Sequence, residues 1–124
     1  RLHMLLERSM VRSYTNSKDA FLNSYQNGFR VFEADLMQTT DHVMVARHYW
    51  GKDLSDPKSK GGKPVSYAKF KNIKLYGKYT SVSLKELFEL MDKYPDTYII
   101  TDTKDSDAAA AKNDFSVIVK TAKE

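Results

Sequence analysis

The run FRVFEADLMQ, Phe29 to Gln38, alternates so strictly that it fixes its own conformation. In an extended chain successive side chains leave opposite faces, so Phe32, Ala34 and Leu36 share one face and Val31, Glu33, Asp35 and Met37 the other. The first face is apolar and belongs in a core. The second carries two carboxylates at the spacing of the strand period, with oxygens only a few ångströms apart. Any fold for this chain must bury one side of the strand and find a use, or a solvent, for the acids on the other.

The flanking sequence is punctuated in the same legible way. LHMLL, Leu2 to Leu6, has the composition of a first strand. YTNSKDAFLNSYQNG then offers a helix start at Asn16 or Ser17, apolar positions at Phe21 and Tyr25, and a stop at Gly28. HVMVARHYW after the acidic strand is a second β-branched run. In SVSLKELFELMDKYP, Ser83 and Glu86 have capping-box spacing, Leu84, Leu87, Phe88 and Met91 form a helical stripe, and Pro95 ends it. TYIITDTK reads as a further strand, and the alanine-rich tail with Phe115, Ile118, Val119 and Ala122 as a last helix.

Strand and helix keep alternating, which predicts an α/β fold with a parallel sheet, helical crossovers and functional groups at the carboxyl ends of the strands. The length of 124 residues suits a single unit, residues 1–124. A closed eight-stranded barrel takes about 250 residues. The chain is therefore expected to be the N-terminal part of such a barrel, an incomplete domain.

Composition narrows the chemistry. There is no cysteine, so disulfides, zinc–thiolate centres and thiol catalysis are excluded. No apolar run approaches the roughly 20 residues that span a bilayer, and no secretory signal is visible, which leaves the compartment open between cytoplasm and cell surface. The net charge of +4 is mild. Its lysines crowd into the segment Lys52 to Lys78 together with Pro57, Gly61, Gly62 and Pro64, which reads as a solvated loop or as an attraction for an anionic membrane surface. Nucleic acid is not an expected partner, because no recognition motif accompanies the lysines.

The remaining reactive groups are carboxylates, histidines, lysines and hydroxyls. Glu33 and Asp35 repel one another unless a cation lies between them, and calcium or magnesium, hard ions that take oxygen ligands, would satisfy both. A solvated face on an antiparallel strand accounts for the pair as well. Asp102, His48 and His3 also fall near predicted strand ends, where a parallel sheet would gather them. A divalent ion held by Glu33, Asp35 and Asp102 beside two imidazoles has the parts for phosphodiester cleavage: charge neutralisation at the phosphate and two groups to move protons.

These residues stand in a familiar order. From Tyr14 to Trp50, and again in GKYTSVSLKELFELMDKYPDTYIITDTK, the chain resembles the N-terminal part of the glycerophosphodiester phosphodiesterases, TIM barrels related to the phosphatidylinositol-specific phospholipases C. The Asn-Ser helix start, the Glu-x-Asp strand, the Thr-x-Asp turn and the Arg-His-x-Trp close carry the likeness. It implies that Glu33, Asp35 and Asp102 are metal ligands, that His48 is the second catalytic histidine, and that Lys104 contacts substrate phosphate. His3 is the one candidate for the first catalytic histidine.

The sequence departs from the family's pattern in three places. No glycine follows His3, Tyr49 replaces an aspartate that commonly accompanies the catalytic imidazole, and YTNS lacks the acid of the family's Pro-Glu-Asn-Thr. The last difference argues against a binuclear site. Tyr49 and Trp50 are read as packing or substrate-rim groups, Arg47 as pointing away from His48, and His42 as a solvated turn residue.

The implied activity is metal-dependent hydrolysis of glycerophosphodiesters or a related phospholipid headgroup. A phospholipase C- or D-like enzyme on the same scaffold, or a non-catalytic binding domain, are the alternatives. The 124 residues alone are expected to show little turnover and to self-associate through exposed barrel edges.

Overall fold

A computed structural model describes residues 16–103 and 108–123. The expected first strand, with His3, and also Lys104 lie outside the described residues. Helix α1, Lys18–Gln26, begins at Ser17, whose hydroxyl accepts from the Ala20 backbone N–H at 3.1 Å. It ends in a turn at Gly28, where φ is +90°, a backbone geometry that favours glycine.

Strand β1, Val31–Gln38, is the central strand of a three-stranded sheet ordered β2-β1-β5, with β2 at Met44–Ala46 and β5 at Tyr98–Thr103. The predicted faces are the observed ones. Phe32, Ala34 and Leu36 are buried against Ala20 and Phe21 of α1 and against Leu84, Leu87 and Leu90 of α3, Leu84–Lys93. Phe21 stacks on Phe32 with ring centroids 4.4 Å apart.

β1 and β5 pair in parallel, from Val31 opposite Tyr98 to Leu36 opposite Thr103. β1 and β2 do not. They form an antiparallel hairpin, Leu36 opposite Ala46 and Gln38 opposite Met44, which corrects the expectation of an all-parallel sheet. The reason is local. Thr39 accepts from the Val43 N–H through its hydroxyl and donates that hydroxyl to Asp41, and His42 takes a positive φ of 63°, so the chain turns back at once. The expected strand HVMVARHYW is extended only over Met44–Ala46, and the residues after it are irregular.

The lysine-rich segment is also more ordered than expected. It contains the short helix α2, Tyr67–Lys71, and the hairpin of β3, Lys74–Leu75, with β4, Tyr79–Thr80. Val45, Trp50, Phe70, Ile73, Leu75 and Tyr79 form a second apolar cluster beneath it. In the last helix, α4, Ala108–Lys123, Val117 and Ile118 pack on the main core, so of the predicted stripe Ile118 faces the core, whereas Ala122 is exposed.

A charged clamp sits at the amino end of the sheet. The Arg30 Nε donates to Asp96 at 2.7 Å, the Tyr25 hydroxyl donates to the other Asp96 oxygen at 2.9 Å, and the Tyr98 N–H donates to the Arg30 carbonyl at 2.8 Å. The Arg30 guanidinium also lies 3.8 Å from the Tyr25 ring centroid. Together these contacts fix where β5 begins relative to β1. The Tyr25 hydrogen bond, with Arg30 beside it, holds the Asp96 carboxyl below its ordinary value.

The start of α3 is secured by a capping box. The Ser83 hydroxyl accepts from the Glu86 N–H at 3.1 Å and the Glu86 carboxylate accepts from the Ser83 N–H at 3.0 Å, while Lys71 Nζ reaches the same carboxylate at 2.7 Å. Burial alone would raise the Glu86 carboxyl, but Lys71 and the Ser83 N–H outweigh it and hold it below its ordinary value. Ser83→Ala is expected to cost about 1 kcal/mol in urea unfolding. Carboxyls with lowered folded values stabilise the fold above their unfolded value of about 4 and lose that contribution as pH falls through the folded one. The urea midpoint should therefore drop between pH 6 and pH 3, and drop less in Glu86→Gln.

Candidate functional site

Because the side-chain period on a strand is two, the parallel register that places Asp35 opposite Asp102 also sets Glu33 opposite Ile100, on the same face. Three carboxylates thus meet on one face of two neighbouring parallel strands, with Asp35 and Asp102 next to the last pair of the ladder. Each offers an oxygen, and the three oxygens lie within 4.8 Å of one another. Calcium takes oxygens at about 2.3–2.6 Å, so oxygens on one ion stand no farther apart than about 5 Å. The triad has the dimensions of one coordination sphere. On the same face, Ile100 beside Glu33, and Val31 and Tyr98 one level below, are apolar and more than half exposed.

Asp35 is the buried member, 8% exposed, and it is held by a residue that sequence reasoning assigned only to a helix start. The Asn16 amide Nδ2 donates to Asp35 Oδ2 at 3.2 Å, and Asn16 Oδ1 accepts from the Asp35 backbone N–H at 3.2 Å. Asn16 is itself buried and sits at φ +51°, a left-handed conformation that asparagine tolerates better than most residues. The one signal for it was an asparagine immediately before the Ser17 cap. Its two bonds hold Asp35 by one carboxylate oxygen and by the backbone N–H.

His48 is carried by a route other than the one expected. It does not stand at the end of a parallel strand. The antiparallel hairpin carries the chain back down β1, so that the Arg47 N–H donates to the Asp35 carbonyl at 2.9 Å, and His48 is the next residue. The hairpin thus returns the backbone beside His48 to the level of Asp35.

The residues around His48 are tightly organised. Its ring meets the Tyr49 ring edge-on with centroids 3.9 Å apart. Arg47, expected to point away, is 3% exposed and donates from Nε to the Tyr49 carbonyl, with its guanidinium 5.6 Å from the centre of the Trp50 ring. Burial lowers the Arg47 pKa, with Asp53 and Asp56 opposing the shift. Arg47 therefore ties down the backbone on both sides of His48. Trp50 is 6% exposed and meets Phe70 edge-on, which bears out its packing role. His42 stays in the hairpin turn, 3.4 Å from Gln38 Oε1.

Fold and site define a class: the N-terminal portion of a (β/α)8-type barrel with carboxylates gathered on one face of its sheet. Two solved structures are similar to it. One is a candidate glycerophosphoryl diester phosphodiesterase from Silicibacter pomeroyi DSS-3, with a TM-score of 0.67 and 20% identity, covering 87% of this chain and 48% of that one. The other is a candidate glycerophosphodiester phosphodiesterase from Galdieria sulphuraria, with a TM-score of 0.62 and 19% identity, covering 86% and 45%. The chain spans about half the length of both. No protein-family model matches it, and no match is found among curated proteins. At such identity the likeness establishes the fold, a partial barrel shared with the group that the sequence resembles. Among the described residues no helix is long and apolar enough to cross a membrane.

If the triad holds an ion, the groups that orient it matter nearly as much as the ligands. Asn16→Ala is expected to weaken calcium or magnesium binding by about 10–100-fold in calorimetry. Asp35→Asn should lose it almost entirely, and unchanged affinity in both variants would exclude the triad as the ion's site.

Proposed function

We propose that this chain supplies the acidic and histidine-bearing part of an active site that hydrolyses glycerophosphodiesters with the help of a divalent cation. The single observation that carries this reading is the meeting of Glu33, Asp35 and Asp102 within the span of one coordination sphere, on one sheet face of a barrel whose structural neighbours are described as phosphodiesterases. Calcium or magnesium at the triad would supply positive charge for the non-bridging phosphate oxygens.

The chain's own residues have separate tasks. Asp35, gripped by Asn16, presents a fixed oxygen, and Glu33 and Asp102 close the set from the same face. His48 moves a proton at the scissile phosphate, taking it from the attacking group or giving it to the departing alcohol, since its ordinary pKa lies near neutrality. His3 is proposed as the partner that performs the opposite transfer, and Lys104 as a contact to the phosphate. Tyr49 cannot serve as the carboxylate that the family commonly places there. Arg47 takes over part of that task by fixing the peptide that carries His48.

The test is hydrolysis of glycerophosphodiesters by the longest natural polypeptide that contains this chain. His48→Ala should lower kcat by about 10²–10⁴-fold and leave divalent-ion affinity unchanged, whereas Asp35→Ala should abolish both. Turnover that survives chelation of divalent ions, or that is unaffected by His48→Ala, would contradict the proposal.

A further inference from the structure

An open cavity of about 450 Å³ is lined by His48, Met37, Tyr49, Trp50, Lys60 and the Gly61–Gly62 pair. That volume lies within the range of small-molecule sites. The segment that carries Lys60, Gly61 and Gly62 is held in place by a glycine crossing. The Gly62 N–H donates to the Trp50 carbonyl at 2.9 Å, and Gly51 bridges to Gly61. A Cβ on Gly51 would lie 2.4 Å from the Ser59 carbonyl oxygen, and one on Gly62 would lie 2.2 Å from that of Gly51, so only glycine permits the approach. The loop between is stapled by its own side chains: Asp53 accepts from the Ser55 N–H and hydroxyl, and Asp56 from the Lys58 N–H.

This construction sets the Lys60 ammonium 4.9 Å from the centre of the Tyr49 ring. Lys60 is the only charged side chain among the described residues lining the cavity, apart from any charge on His48 itself. An aromatic pair next to a phosphodiester site would ordinarily suit a quaternary ammonium headgroup through its ring faces. Here the Tyr49 ring already carries a cation. A choline group entering the cavity would meet a like charge, and an anionic group would meet an opposite one.

The geometry points to a specificity pocket: it receives the alcohol side of the phosphodiester, and Lys60 selects substrates in which that fragment carries a second phosphate. The inference rests on the phosphodiesterase reading for which bond is cut, but the pocket's preference is a binding property and can be read without turnover.

Trp50 is the only tryptophan in the chain and lines the cavity, so its fluorescence reports occupancy directly. Three probes should be titrated both in calcium and in EDTA: bis(glycerophospho)glycerol, glycerophosphoglycerol and glycerophosphocholine. The expected order of affinity is the bisphosphate first and the choline ester last. Its advantage should shrink as salt rises from about 0.02 M to about 0.3 M. Lys60→Glu should weaken bisphosphate binding about fivefold or more and flatten the order, and Lys60→Arg should keep it.

Because Lys60 is exposed, both variants should retain the native circular dichroism spectrum. Equal affinities for the three probes, tightest binding of the choline ester, an unchanged order in Lys60→Glu, or no response in the folded protein would each overturn the inference. Ordered binding without any hydrolysis when divalent ions are restored would sustain it while ending the hydrolase reading.

Discussion

The parallel pairing of β1 with β5 is the constraint on which everything else hangs. A slip of one residue would turn Asp102 to the opposite face from Asp35 and dissolve the triad, because side chains alternate along a strand. The register is fixed at the far end, where Arg30 and Asp96 clamp the entry to both strands and the Tyr98 N–H finds the Arg30 carbonyl. It is fixed again through the core, where Phe32, Ala34 and Leu36 have to face α1 and α3. The carboxylates are thus positioned by groups that take no part in their chemistry. Asn16 adds the last adjustment, an amide bonded to both the side chain and the backbone of Asp35.

A second consequence concerns the apolar part of the face that carries the acids. Val31, Tyr98 and Ile100 are 51%, 69% and 56% exposed, an unusual arrangement for large apolar side chains on one sheet surface. In a closed barrel that surface is interior and filled by layers of side chains from all the strands. The solved structures that share this fold are about twice as long as the chain. Half of a barrel can still build its first core, since the helices cover the outer face of the sheet, and the acidic triad needs only two strands.

Much of this was legible in the sequence. The alternation in FRVFEADLMQ gave the buried and acidic faces of β1 correctly, the capping signals at Asn16 or Ser17 and at Ser83 gave the helix starts to within a residue, and Glu33, Asp35 and Asp102 come together as expected. What was not legible depends on turns and on contacts distant in sequence. The antiparallel return of β2 follows from a hydroxyl and a positive φ in TTDHV, which a β-branched run does not reveal. Asn16 looked like a capping residue because its partner lies 19 residues away. The order in the lysine-rich loop comes from glycines that let two backbone segments touch, whereas composition alone suggested a solvated loop.

The central claim is that one divalent ion sits among Glu33, Asp35 and Asp102. Crystals soaked in manganese and measured at its absorption edge test it most directly, since the anomalous signal locates the ion without reference to activity. The account predicts one strong peak bonded to an oxygen of each of the three carboxylates, at about 2.0–2.6 Å. A well-ordered triad with no peak, or a peak bonded elsewhere, would contradict it.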